Sequence, residues 1–142
     1  MKKLTFDSGI EEFRIQGGGV LRFNPADPNL YGRFLEAADK LKEMESELVA
    51  KAKELEGTDT GSAVISLMGE ADRKMKLLLG WVFGGDNDFD KALGGVNLLA
   101  VASNGERLVT NLFAALEGVL TGGAERFAAG QAASMKTRRQ AQ

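Results

Sequence analysis

The chain has 142 residues, 44% of apolar type and 27% charged, a balance that fits one globular domain rather than a disordered or membrane-embedded polypeptide. Cysteine and histidine are both absent, which removes disulfides, thiolate and imidazole metal sites, and every catalytic scheme resting on those side chains. A net charge of −2 and a pI near 5.3 give no electrostatic reason to expect nucleic acid as the main partner.

Met1-Lys2-Lys3 starts like a signal peptide, but Asp7, Glu11, Glu12 and Arg14 interrupt the apolar stretch such a leader needs. No run approaches the roughly 18 apolar residues that span a bilayer, so the expectation is no membrane and a cytoplasmic address.

Three short segments in residues 1–24 alternate apolar and polar types: Leu4-Thr5-Phe6, Phe13-Arg14-Ile15 and Leu21-Arg22-Phe23. That period predicts a β-meander of two to three strands with Leu4, Phe6, Phe13, Ile15, Leu21 and Phe23 on one face. Asp7-Ser8-Gly9 would join the first pair, and Gln16-Gly17-Gly18-Gly19 the second. No nucleotide-binding pattern comes after the three glycines, so a turn explains them better than a phosphate cradle.

Asp27 is a good N-cap and Pro28 suits a first helical position, so a helix is expected from there to about Glu56, stopped by Gly57. Its seam is Leu30, Phe34, Ala37, Leu41, Met44 and Leu48, while Glu and Lys crowd the opposite face in pairs such as Glu36–Lys40. Thr58–Ser62 reads as a turn offering several N-caps. A second helix then runs toward Trp81 with Val64, Met68, Ala71, Met75, Leu78 and Val82 on a matching seam. An intramolecular antiparallel hairpin over residues 27–83 accounts for both seams; a self-associating coiled coil is the alternative.

Gly84-Gly85 breaks the second helix, and Asp86 to Leu93 reads as a short helix closed by Gly94-Gly95. Val96 to Ala102 fits a buried strand or a helical turn equally well. A further helix is expected over about Glu106–Leu120, with Leu108, Val109, Leu112, Phe113, Leu116, Val119 and Leu120 on one stripe, ended by Gly122-Gly123. The expected fold class is therefore α+β. Residues 1–122 form one domain: a β-meander (1–24) packed on a bundle of three to four helices comprising the hairpin (27–83) and the C-terminal helices (86–121). Residues 123–142 form an Ala-rich, basic and frayed tail, in which Ala124–Met135 is compatible with helix but offers few large side chains beyond Phe127 and Met135, and whose Lys136, Arg138 and Arg139 are too few for a nucleic-acid patch.

Asp86, Asp88 and Asp90 alternate like the opening ligands of an EF-hand, but Lys91 stands where the loop needs glycine and Asn97 where it needs glutamate. An acidic helix N-terminus explains them better. The serines lack any nucleophile motif, and the carboxylates of the first helix lie on a charged stripe where nothing tunes a pKa. No catalytic residue, cofactor or metal is expected. Trp81, Phe83 and Phe89 are the candidate partner-binding residues, since large aromatics beside mobile glycines make good interface anchors; the competing reading places them in the core.

Two stretches, together covering most of residues 4–120, carry a family resemblance. Leu4-Thr5-Phe6-Asp7-Ser8-Gly9, Val20-Leu21-Arg22-Phe23-Asn24-Pro25-Ala26-Asp27 and Tyr31-Gly32-Arg33-Phe34-Leu35 resemble the start of small siphophage and prophage proteins of tail-gene clusters. Those proteins are described as tail assembly chaperones. Val82-Phe83-Gly84-Gly85, Val96-Asn97-Leu98-Leu99-Ala100-Val101-Ala102 and Asn111-Leu112-Phe113-Ala114-Ala115-Leu116 are similar to the C-terminal half of that family. The order and spacing of these pieces carry the likeness, and the chain departs from it in Gly84–Gly95 and in the Ala-rich tail. The resemblance implies a non-enzymatic, oligomeric chaperone of the host cytoplasm. Its partner would be the helical tape measure protein, kept from aggregating until the tail tube forms. A structural virion protein (a tail or connector subunit) is the alternative.

Overall fold

Two glycines with positive φ, Gly17 (109°) and Gly18 (108°), reverse the chain between strands β1 (Glu11–Arg14) and β2 (Val20–Phe23). The turn is closed by Ile15 N–H donating to the Gly19 carbonyl at 2.7 Å. The strands pair antiparallel, with Phe13 opposite Leu21 and Glu12 opposite Arg22. Gly19 is needed for a different reason. A Cβ there would lie 1.9 Å from the Ala92 carbonyl oxygen, so the third glycine lets the hairpin sit directly on the backbone of a later helix. Leu21 and Phe23 are buried and Phe13 stacks on Phe23 with ring centroids 4.5 Å apart.

In this computed structural model, which describes residues 1–57 and 61–141 and side chains as far as residue 135, the sheet has two strands. The strand expected at Leu4–Phe6 is not formed, and Leu4 (89% exposed) and Phe6 (75%) stand in solvent. Charge explains this. An antiparallel register that keeps Leu4 and Phe6 opposite Ile15 and Phe13 also sets Asp7 against Glu12, and like charges directly opposite are destabilising. The link forms a local turn instead, in which Gly9 N–H donates to Asp7 Oδ1 at 2.9 Å and Asn24 Nδ2 donates to the Ser8 carbonyl at 3.2 Å.

Helix α1 (Pro28–Glu54) starts as expected, with Asp27 accepting from the Asn29 N–H at 3.0 Å and Pro28 in the first turn. Leu30, Phe34, Ala37, Leu41 and Leu48 are buried along its seam, and Met44 is half-buried. Helix α2 (Gly61–Phe83) buries Met75, Leu78, Leu79, Val82 and Phe83. The two run antiparallel. Arg33, early in α1, donates Nε to the Val82 carbonyl late in α2 at 2.9 Å, while Met44 and Leu48 face Leu67 and Ala71 across a small cleft at the other end. The seams therefore meet within the chain, and Glu36–Lys40 pair at 3.7 Å on the exposed face. Of the turn expected at Thr58–Ser62, residues 58–60 lie outside the described residues, and Gly61 and Ser62 already belong to α2.

Gly84 (φ 103°) ends α2, and Asp88 caps the short helix α3 (Phe89–Ala92) by accepting from the Lys91 N–H at 3.1 Å. Residues 96–102 are neither a strand nor a helix. They fold back over the first turn of helix α4 (Leu108–Ala141), whose Leu108 and Val109 N–H groups donate to the carbonyls of Ala100 and Leu98, both at 2.8 Å. A helix N-terminus needs acceptors for such donors, and here the apolar run supplies main-chain ones.

Helix α4 buries Val109, Leu116 and Leu120 and stacks Phe113 on Phe34 at 4.7 Å. It continues without a break through Gly122-Gly123, where it was expected to end, so the Ala-rich residues after them belong to the same helix rather than to a separate tail. A Cβ at Gly123 would fall 1.7 Å from the Pro25 carbonyl oxygen, so this glycine is a contact point between α4 and the loop before α1, not a stop signal. The result is an α+β fold: a two-stranded antiparallel sheet packed against four helices.

Candidate interaction surface

Of the three aromatics expected to anchor a partner, two are not available. Phe83 is 5% exposed and Phe89 1%; their rings lie 5.5 Å apart, and Phe23 meets Phe83 edge-on at 4.8 Å. The correction has a plain cause: the hairpin needs a floor, and the end of α2 together with α3 supplies it. Trp81 differs, being 45% exposed with Lys40 Nζ 4.8 Å above its ring. One turn earlier on the same face, Leu77 is 75% exposed, so the pair forms an apolar ridge on α2.

Beneath that face lies a charge cluster that the sequence did not announce. Lys76 Nζ donates to Asp72 Oδ2 (2.8 Å), Asp90 Oδ1 (2.6 Å) and the Val96 carbonyl (2.7 Å), so each of its protons has an acceptor. Asp72 Oδ1 in turn accepts from the buried Leu98 N–H at 2.8 Å. Burial pulls the lysine's pKa down, but the hydrogen bonds and charges of Asp72 and Asp90 outweigh it and hold the pKa above the ordinary lysine value. A lysine held this firmly as a cation joins α2 to α3 and to the 96–98 segment; it is not poised as a base or nucleophile. The Asp72–Lys76 spacing of four was the one visible signal. Of the alternating aspartates, Asp88 serves as a helix cap and Asp90 belongs to this cluster.

Asn87 makes a second buried polar link. Its Oδ1 accepts from the Arg22 N–H at 2.8 Å while Nδ2 donates to the Arg22 and Phe83 carbonyls, both at 2.9 Å. One carboxamide thereby satisfies both outward main-chain groups of Arg22 and covers the β2 edge at that position.

An open apolar groove of about 640 Å³ lies between the inner face of the hairpin and α4. Ile15, Leu21 and Val96 line one side, and Leu112, Leu116 and Val119 the other, with Arg14, Gln16 and Asn111 also on its lining. Sequence reasoning placed most of these side chains in a closed core. The groove stays open because a sheet of two strands is too narrow to cover the stripe that α4 presents.

No helix among the described residues is long and apolar enough to cross a membrane. Among those residues no three carboxylates gather as a metal site would require. The architecture defines an α+β protein that carries this apolar groove and a second cleft of about 800 Å³, lined by Leu77 and Phe89 together with Asp72, Arg73, Lys76 and Asp90. Compared with known proteins, the chain matches no family model, no curated protein and no solved structure.

Proposed function

We propose that this protein is a phage tail assembly chaperone, which works without catalysis in the host cytoplasm by holding apolar faces of the helical tape measure protein until the tail tube assembles around it. The observation that carries the reading is the groove of about 640 Å³ between the hairpin and α4. Its volume and apolar walls suit a few anchor side chains of an amphipathic helix, the usual mode of helix-in-groove recognition. The ridge of Leu77 and Trp81 offers a second apolar contact. The order and spacing of the motifs that resemble tail-cluster proteins support the same assignment.

The experiment is co-expression with the tape measure protein encoded beside it. The chaperone should keep that protein in the supernatant and co-purify with it. Ala115→Arg introduces a long cation at an exposed position on the groove and should abolish co-purification without changing the fold. Unchanged partner solubility, with or without the chaperone, overturns the reading.

A second reading, a tail or connector subunit of the virion, is favoured by one observation: among the described residues no strand pairs with the outer edge of β1. Mass spectrometry of purified particles separates the two, since a chaperone is absent from mature virions and a subunit is present in many copies.

A further inference from the structure

The first ten residues are all exposed, yet they carry Leu4, Phe6 and Ile10. Beside them lies an open sheet edge. Arg22 turns its N–H and carbonyl outward to Asn87, so Glu12 opposite it belongs to a non-hydrogen-bonded pair and directs its own main-chain groups away from β2. Arg14, two residues on, does the same. Among the described residues, neither takes part in a hydrogen bond outside the hairpin.

We propose that residues 2–6 of one copy of this chain add, in parallel, to the outer edge of β1 in a second copy, giving its sheet a third strand. The register comes from chemistry. Laying residues 2–6 along residues 11–15 sets Lys2 beside Glu11, Lys3 beside Glu12, Leu4 beside Phe13, Thr5 beside Arg14 and Phe6 beside Ile15. Two opposite-charge pairs and two apolar pairs coincide in a single alignment, and such cross-strand pairs are the unit of sheet stabilisation. Glu11 and Glu12 already meet Arg126 at 3.6 Å and Arg22 at 3.4 Å, but both pairs are largely exposed and leave room for the incoming lysines.

The same register excludes the chain's own arm. Parallel neighbours need a crossover of about a dozen residues or more, and only residues 7–10 separate the two segments. Own-chain antiparallel pairing is disfavoured in each register: one sets Asp7 against Glu12, sliding it by two sets Phe6 against Glu11 and Lys3 against Arg14, and sliding it the other way runs Leu4 past the end of β1 to Gly17 in the hairpin turn. The strand comes from another molecule. It places Leu4 and Phe6 on the face of Phe13 and Ile15, extending a wall of the groove without filling it. The surfaces that pair are different, so reciprocal exchange closes a dimer and one-way exchange continues into a ring or filament. This assembly stands independently of the chaperone reading.

The chain has no cysteine, so engineered thiols report without background. Chains carrying Lys3→Cys mixed with chains carrying Glu12→Cys should form a disulfide-linked pair under mild oxidation, whereas Lys3→Cys mixed with Gln16→Cys should not. In sedimentation velocity the full chain should exceed the 15.2 kDa monomer mass, and deletion of residues 2–6 should restore the monomer. The deletion should leave the helical circular dichroism of the monomer intact, because these side chains are exposed, while abolishing the concentration dependence of the unfolding midpoint that assembly confers. A monomer at every concentration, an undiminished mass after the deletion, or cross-linking through Gln16→Cys in place of Glu12→Cys overturns the proposal.

Discussion

Lys76 is 7% exposed and holds two carboxylates, but the two are not equivalent: the Asp72 side chain is 11% exposed and that of Asp90 65%. Replacing Lys76 by methionine leaves Asp72 buried without a counter-charge, and breaking a buried pair in this way costs about 3–5 kcal/mol. Asp90→Asn should cost much less, because the lost charge is largely solvated and the amide oxygen still accepts. Urea unfolding of the two variants at neutral pH tests that order. The pH dependence carries a sign. The folded-state pKa of Lys76 lies above 10.5, so folding takes up protons at high pH. Its contribution is complete below the unfolded-state value and is lost as pH rises through the raised folded one. The stability difference between wild type and Lys76→Met should therefore be constant from neutral pH to about pH 10 and shrink above it. A difference that grows with alkalinity would contradict the cluster as described. Asn87 invites a companion measurement. Asn87→Asp puts carboxylate oxygen against the Arg22 and Phe83 carbonyls, and should destabilise by at least the roughly 1–3 kcal/mol of an unsatisfied buried polar group.

At the level of elements, what could be read from the sequence was whatever repeats locally. The seam from Leu30 to Leu48 and the cap at Asp27 could be inferred from side-chain spacing alone, and the structure shows both. The features that could not be read depended on residues far apart in the chain. The alternation at Leu4–Phe6 is a sound strand signal, but pairing depends on what lies opposite, and there Glu12 meets Asp7. The groove was hidden for the same reason, because whether the stripe on α4 is covered depends on the width of the sheet. Gly122-Gly123 shows how one dipeptide misleads. Helical glycine costs about 1 kcal/mol relative to alanine, so a pair of them reads as a stop. The two positions should respond oppositely to alanine. Gly122 has open space around its would-be Cβ, and Gly122→Ala should stabilise by about 0.5–1 kcal/mol. Gly123→Ala drives a methyl into the Pro25 carbonyl and should destabilise by about 1–3 kcal/mol, the usual cost of overpacking. Equal responses in thermal melts would mean that α4 does not rest on the Pro25 loop.

For the whole molecule, the question is where the cooperative unit stops. Composition placed the boundary after residue 122, yet the contacts reach further. Ala124 and Phe127 close a cleft with Pro25, Ala26 and Tyr31, so a fourth turn past Leu116 is still anchored to the loop that launches α1. Beyond Phe127 every described side chain as far as Met135 is exposed. An isolated helix of that length is marginal in water even with good helix formers, since nucleation is costly and no tertiary face supports it. Here α4 supplies the nucleus, so the last turns persist as a rod on an anchored base. The whole helix, at 34 residues, extends about 51 Å at 1.5 Å per residue. Truncation after Ala128 should therefore leave the unfolding midpoint and denaturant slope nearly unchanged while removing helical ellipticity. Truncation after Leu120 takes away Gly123 and Phe127 together, uncovers Pro25 and Tyr31, and should cost more than about 2 kcal/mol, as loss of buried apolar contacts generally does. Chemical denaturation of the two truncations places the boundary. If the shorter cut is as stable as the longer, the unit ends near residue 120; a large loss on both cuts would show that the exposed turns support the core in a way their burial gives no sign of.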